Sequence, residues 1–413
     1  MLRDWLGRAV PALEAARERI DAVNVFPVPD GDTGTNVLLT VRGAADAVAG
    51  LPLGGDAADD GPAVLRSLAR GALLSARGNS GVILSRYLGG LAGAASGPLP
   101  DALRAAAGAA RSAVPEPEDG TVLTVAAVVA DGAARAAGHG AGDADALGAG
   151  VAAGRADLAR ISAAHPVLRS ARVVDAGACA LLVLLDALAA ALAGSAGPVD
   201  VAWLDAHEAA PEDDGDEAGL PAGAAGYEVV ALLRVDGAGG ADGADTLARG
   251  LAPALAAVGD AVAVVPGEGL VTAHVHAAAP GDVAAVLTAC GARWTATVRP
   301  LLGAVRPVVA CTGSGASAAA LADAGAVAVL LPDGTPADEA REAVGRAAQD
   351  AAGTGALTVL RGDRLGAADL DAAWVVPPGA ADDAGVLVAL AALVDPDPDA
   401  TPSTPTTPTE AHP

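Results

Sequence analysis

Lysine is absent from all 413 residues, and the side-chain basic charge is carried by arginine. That absence excludes a P-loop, whose Gly-Lys-Ser/Thr ending is essential to that phosphate site. Basic charge is also scarce. Acidic residues outnumber arginines 50 to 25, for a net charge of −25, which excludes nucleic-acid binding and disfavours an anionic membrane surface. The three cysteines, Cys179, Cys290 and Cys311, are far apart and form no CxxC pair. No disulfide framework is expected, which suits a reducing compartment. Aromatic residues make up 2% of the chain, so its cores must rely on close contacts among Ala, Gly, Leu and Val. No stretch approaches 18 strongly apolar, uncharged residues; the best, 176–193, contains Asp186. Membrane insertion is therefore not expected. The N-terminal MLRDWLGRAVPALEAARERI carries acidic residues and no continuous apolar core, unlike a secretory signal. A cytoplasmic, multidomain protein is the expectation, because the length exceeds what one core usually holds.

Residues 1–194 follow helical periodicity. Leu65, Leu68, Ala69, Ala72 and Leu73 mark one amphipathic face, and Leu181, Leu182, Leu184, Leu185 and Leu188 a helix apolar nearly all round. Breaks are expected at 78–81, 115–120 and 165–166. Residues 195–226 turn Gly/Pro-rich and acidic and read as a linker. A middle α/β domain is predicted over 227–303, with strands at 228–235, 261–265, 270–276 and 294–298. A C-terminal α/β domain is predicted over 304–395. Its strands at 307–310, 326–331, 357–360 and 373–376 alternate with helices, which suggests a parallel sheet. The CTGSGAS run, 311–317, reads as a strand-to-helix turn. Residues 396–413, rich in Pro, Asp and Thr, are predicted to be disordered.

The most informative run is Asn24-Val25-Phe26-Pro27-Val28-Pro29-Asp30-Gly31-Asp32-Thr33-Gly34-Thr35-Asn36. Two carboxylates one glycine apart on an irregular loop suit a hard cation such as Mg²⁺. The helix that opens just beyond offers free N–H groups to an anion. Metal beside phosphate is the layout of a nucleotide-dependent phosphotransferase. An Asp-Gly turn before a capped helix is the plainer alternative for a bare DGD.

Four motifs occur in order: NVFPVPDGDTGTN (24–36), ARGNSGVILS (76–85), DGTVLTV (119–125) and HPVLRSARVVDAG (165–177). Together they resemble the kinase subunit of bacterial fatty acid kinase, whose N-terminal domain is similar to the nucleotide-binding DhaL subunit of dihydroxyacetone kinase. HVHAAAPGDV (274–283) adds a segment similar to that kinase's middle domain. The resemblance fades after residue 300. It implies that residues 1–194 form an all-α, eight-helix up-and-down barrel, with ATP at one mouth and two smaller α/β domains following. It further implies that Asp30 and Asp32 hold Mg²⁺ and act catalytically, with Asn24 near the place of a third ligand. Thr33, Thr35, Asn36, Asn79, Ser80 and Gly81 would meet the phosphates. Thr121, Leu123 and Thr124 would line the nucleotide pocket, with Asp175 and Gly177 near the ribose or base.

Several positions depart from the pattern. Arg172 stands where the family usually has Gly. Glu228 follows Tyr227 where relatives carry a Cys that joins the two histidines in a metal set. Glu228, His274 and His276 form a candidate second metal site, for Zn²⁺, or the histidines are packing residues. The expected activity is ATP- and Mg²⁺-dependent phosphorylation of a fatty acid carboxylate, the acid being presented by a DegV-type binding protein. Alternatives are a dihydroxyacetone-type small-molecule kinase and a nucleotide-binding regulatory or scaffold protein without turnover. A homodimer is compatible with each.

Overall fold

The computed structural model describes residues 1–51, 61–207, 226–235, 240–302, 305–351, 357–362, 364 and 382–394. Its first part is helical: α1 (Leu2–Ala22), α2 (Thr33–Ala49), α3 (Gly61–Leu74), α4 (Gly78–Gly93), α5 (Leu99–Ser112), α6 (Val122–Gly138), α7 (Asp143–Ser162), the short α8 (Pro166–Ala171) and α9 (Ala176–Leu192). Apart from α8, each helix packs against its neighbours in sequence, and α9 packs back on α1, so the eight long helices close a ring. Trp5 fastens the closure by donating its indole N–H to the Leu184 carbonyl at 3.0 Å. Small residues let these helices approach closely. At Gly150 on α7, an added Cβ would lie 2.4 Å from the Val129 carbonyl oxygen on α6. Gly-Asn-Ser-Gly does not interrupt the pattern as a loop but opens α4, and the break falls at 75–77.

Part of the expected linker is also ordered. A 3₁₀ turn at Ala202–His207 buries Leu204 on the helical core and pairs Asp205 with Arg19 at 2.5 Å. Arg155 lies over the Trp203 ring at 4.6 Å. The predicted strand at 373–376 and the tail at 396–413 lie outside the described residues.

The two α/β stretches share one seven-stranded sheet, in the order β2-β3-β1-β4-β6-β5-β7. The strands are β1 (Tyr227–Arg234), β2 (Asp260–Gly267), β3 (Leu270–Ala277), β4 (Arg293–Pro300), β5 (Val308–Thr312), β6 (Val327–Leu330) and β7 (Thr358–Leu360). The first four are antiparallel, β5 is parallel to both β6 and β7, and antiparallel pairing of β4 with β6 joins the halves. The sheet therefore runs across the boundary expected at 303/304, because β4 offers β6 a free edge. CTGSGAS forms the turn from β5 into α12 (Gly315–Asp323), with Ser314 capping the helix.

Strand alternation gives the sheet two faces. One packs on α10 (Gly240–Ala256), α11 (Pro280–Ala289), α12 and α14 (Asp383–Val394) in a single core running from Val229 to Leu390. The other face is divided. Toward β5 and β7 it packs on α13 (Ala337–Ala351), and toward β2 and β3 it packs on the helical ring through Leu73, Ala76 and Val82. The ring is thus one layer of the sheet's sandwich.

Arg172 ends α8 with φ 58°. A left-handed residue at a helix end is where Gly is favoured, and a side chain there costs about 1–2 kcal/mol. Arg172→Gly is expected to raise stability by about 0.5–1 kcal/mol after the entropy cost of glycine. A thermal midpoint that fails to rise would show that the turn is unstrained.

Candidate functional site

Asp30 and Asp32 lie on the loop between α1 and α2, where Gly31 takes a left-handed φ of 65°. Asn24 spans the loop. Its Nδ2 donates to Asp30 Oδ1 at 2.5 Å and to the Val28 carbonyl at 3.2 Å, while its Oδ1 accepts from the Thr33 hydroxyl at 2.5 Å. Asn24 therefore orients Asp30, with its nitrogen rather than its oxygen toward the carboxylate. Asn36 Nδ2 donates to Asp32 Oδ1 at 2.8 Å. Ser80, at the start of α4, meets Thr33 through paired hydroxyls at 3.1 Å. Gly81 serves packing: an added Cβ would lie 2.5 Å from Thr40 Oγ1.

Asp21, which the sequence reading missed, caps α2 from the neighbouring α1. Its carboxylate accepts from Gly34 N at 2.6 Å, Thr35 N at 3.1 Å and Thr35 Oγ1 at 2.9 Å. The Thr35 hydroxyl is thus engaged with Asp21 in this arrangement. Thr121 caps α6, and Thr124 Oγ1 accepts from Gly120 N at 3.0 Å. Asp175 caps α9 by accepting from Ala178 N at 2.7 Å. Burial pushes the Asp175 carboxyl up to about 6, although the amides of Ala178 and Val122 pull the other way.

These segments converge on a cavity of about 560 Å³ between the mouth of the helical ring and the sheet. Thr33, Asn79, Ser80, Thr121, Asp175 and Gly177 line it, and the Leu123 side chain adds to an apolar wall with Val37, Ile83 and Leu181. Asp260 and His276 come from the sheet side. Among the described residues, no arginine lines this cavity. Asn79 Oδ1, Tyr87 Oη and His276 Nδ1, all from lining residues, are buried without a hydrogen-bond partner. Unpaired buried polar atoms are rare and costly, and these three belong to residues that surround the cavity.

The sheet also reaches the carboxylate pair. Glu228 on β1 stands opposite His276 on β3 and Arg299 on β4, so alternation brings all three to the face that meets the ring. Arg299 donates through Nη2 to Asp32 and through Nε to Glu228. Glu228 Oε1 also accepts from His274 Nε2 at 3.0 Å, and the two histidine rings meet edge-on at 4.8 Å. Burial pushes Glu228 up, but Arg299 and His274 together hold its carboxyl well below the usual range. Burial and the neighbouring His274 hold His276 down to about 3, so its ring is neutral at ordinary pH.

The donor types at both expected cation sites suit the expected ions, although Arg299 already pairs with Asp32. At Asp30 and Asp32 the donors are all oxygen, as Mg²⁺ prefers. Burial first, then repulsion from Asp32 and Glu228, pushes Asp30 up to about 8, with Arg299 opposing. Such crowding is what a divalent cation relieves. At Glu228, His274 and His276 one ligand atom from each residue lies within 4.8 Å of the others, and all three residues are buried. Their donor types suit zinc, with Arg299 as a competing positive charge on Glu228.

Comparison with known proteins bears on the helical region. Residues 27–190 match the DAK2 domain family model. The chain carries a DAK2 domain. Protein YloV of Bacillus subtilis is 32% identical over 279 residues, covering 64% of this chain and 48% of YloV. An uncharacterized protein of Staphylococcus aureus is 31% identical over 215 residues, covering 50% of this chain and 38% of its own length. One from Staphylococcus saprophyticus is 28% identical over 273 residues, covering 64% and 48%. The chain thus spans about half or less of the length of these relatives. The helical region followed by an α/β sheet domain agrees with the DAK2 match. Among the described residues, no helix is long and apolar enough to cross a membrane.

The shift of Asp30 from its ordinary 3.8 up to about 8 sets a pH dependence. The folded protein keeps a proton that the unfolded chain has lost. This contribution to stability is present below about pH 4 and is lost as pH rises through about 8. A cation must displace that proton, so affinity for Mn²⁺ or Mg²⁺ is expected to rise about tenfold per pH unit toward 8 and then level off. Calorimetric titration between about pH 6 and 9 checks this. A flat profile would remove Asp30 as the titrating group.

Proposed function

We propose that this chain is an ATP- and Mg²⁺-dependent phosphotransferase whose acceptor is the carboxylate of a fatty acid. A DegV-type binding protein presents the acid, and the product is an acyl phosphate. The observation that carries the reading is the meeting, at one cavity, of residues from four separated motifs, with the Asp30/Asp32 pair on the loop that supplies Thr33 to its wall. Phosphoryl transfer asks a protein mainly to position groups and offset charge. Asp30 and Asp32 would hold the Mg²⁺, which supplies charge compensation to the transferred phosphate oxygens. Asn24 and Asn36 orient the two carboxylates, while Thr33 and Ser80 offer hydroxyls toward the phosphates. The apolar wall suits a nucleobase, and Asp175 and Gly177 stand where ribose contacts are expected. A second ion, zinc, at Glu228, His274 and His276 belongs to the same proposal. Elemental analysis of the purified protein tests it, and absence of a transition metal would remove it.

One observation favours a second reading, nucleotide binding without turnover. Arg299 already places a positive charge on Asp32.

A single experiment separates the readings. Purified protein, Mg²⁺, γ-labelled ATP and a fatty-acid-loaded DegV-type partner are mixed, and products are trapped with hydroxylamine. Hydroxamate is expected only with the wild-type chain and partner, and none with Asp32→Asn at unchanged thermal midpoint. Equal product from Asp32→Asn would sink the metal assignment. Mg²⁺-dependent ATP binding without product would favour the second reading, and product with dihydroxyacetone instead would identify a small-molecule kinase.

A further inference from the structure

Arg77 belongs to the ARGNSG run yet has no part in the cavity wall. It precedes α4, and its carbonyl accepts the first helical hydrogen bond, from Gly81 N at 2.8 Å. Its side chain leaves the helical ring altogether. The guanidinium donates through Nε to Asp350, through Nη2 to the Arg346 carbonyl at 2.9 Å and to Gln349 Oε1 at 3.4 Å, and through Nη1 to its own neighbour's carbonyl, Ala76 O, at 3.0 Å. The first three partners lie in the last two turns of α13, in the C-terminal part of the sheet unit. Both members of the ion pair are buried, with side-chain exposures of 5% for Arg77 and 11% for Asp350.

A buried pair of this kind is a poor source of net stability, because desolvation offsets most of the attraction. Its geometry is nonetheless strict: a planar guanidinium with its donors engaged fixes the backbone that carries it. A positive charge on the carbonyl end of a helix also agrees with the α13 dipole. Next to Arg77, Gly78 has φ 56°, and an added Cβ would lie 2.3 Å from Asn36 Nδ2, the atom that donates to Oδ1 of Asp32 at 2.8 Å. The turn that follows carries Asn79, with its unpartnered Oδ1, and Ser80, with its hydroxyl on Thr33. Arg77 is therefore clamped where the start of α4 meets α13, one residue before the Gly78 that packs on Asn36.

We infer that Arg77 is a positioning residue for the Asn79–Ser80 turn, and that α13 is the support it is held against. The C-terminal part of the sheet unit thereby sets the shape of the phosphate side of the cavity. This rests on the proposed nucleotide site. The Asp350 carboxylate acts only through Arg77, and Arg77 acts only through the turn.

The test uses the full chain, with Arg77→Gln, Asp350→Asn and the double variant. Asp350→Asn keeps the shape and one acceptor oxygen, so it remains informative where Arg77→Gln lowers the folded fraction. Two quantities are measured well below each thermal midpoint: the affinity for Mg²⁺·ATP by calorimetry, and amide hydrogen exchange in the peptide covering 77–84 without nucleotide. Misplacement of positioning groups typically costs about 10- to 100-fold. Each single variant is expected to weaken ATP binding about tenfold and to speed exchange in that peptide, with the double variant no worse than Arg77→Gln. Lower midpoints with ATP affinity within about twofold of wild type would reduce the contact to a structural strut and overturn the inference. Additive losses in the double variant would likewise overturn it, since the two residues would then act separately. Wild-type protein that binds no ATP would overturn the nucleotide reading itself, and this proposal with it.

Discussion

A largely buried guanidinium, that of Arg299, stands between two carboxylates that belong to different parts of the molecule. Asp32 comes from the loop that opens α2, and Glu228 from the first strand of the sheet. Each would be costly to leave unpaired, so the sheet and the helical ring are held in one register by electrostatics as well as by the Leu73–Val82 packing. The arrangement also accounts for where the basic charge goes. With no lysine and a large acidic excess, the chain commits an arginine to the carboxylate pair, and among the described residues the cavity wall holds none. Under the proposed nucleotide reading, phosphate charge in that cavity would be offset by a cation, by hydroxyls and by backbone N–H groups.

Helical periodicity and motif order made the DAK2 region legible in the sequence, because both are local signals. The loop from Asn24 to Asn36, the start of α4 and the caps Thr121 and Asp175 sit where short-range pattern puts them, and they meet at one cavity. What the sequence did not make plain is non-local. Asp21 caps a helix it does not belong to, and part of the repulsion that adds to the shift of Asp30 comes from Glu228, nearly two hundred positions away. Arg299 had a faint signal. Arg293, Thr295, Thr297 and Arg299 alternate with Trp294, Ala296 and Val298 on β4, and two faces on a strand mean two different neighbours. Without the fold, nothing in that alternation says that the polar face looks onto a carboxylate loop.

The same limit explains the single sheet. Composition and spacing separate 227–303 from 304–395, and βαβ order correctly marks the parallel strands β5, β6 and β7. Edge pairing leaves no trace in composition, so the β4–β6 junction was invisible. Once formed, it lets α10, α11, α12 and α14 share one core across both halves. The histidines of β3 are drawn into that logic, since Thr272, His274 and His276 share the polar face while Val271, Ala273 and Val275 share the core.

The β4–β6 junction consists of only three residue pairs, Ala296 with Leu330, Thr297 with Val329 and Val298 with Ala328. Dissecting the protein into fragments at 303/304 would therefore expose a bare, apolar strand edge on both pieces, the kind of edge that recruits other chains. The two halves have no solvent-tolerant seam between them.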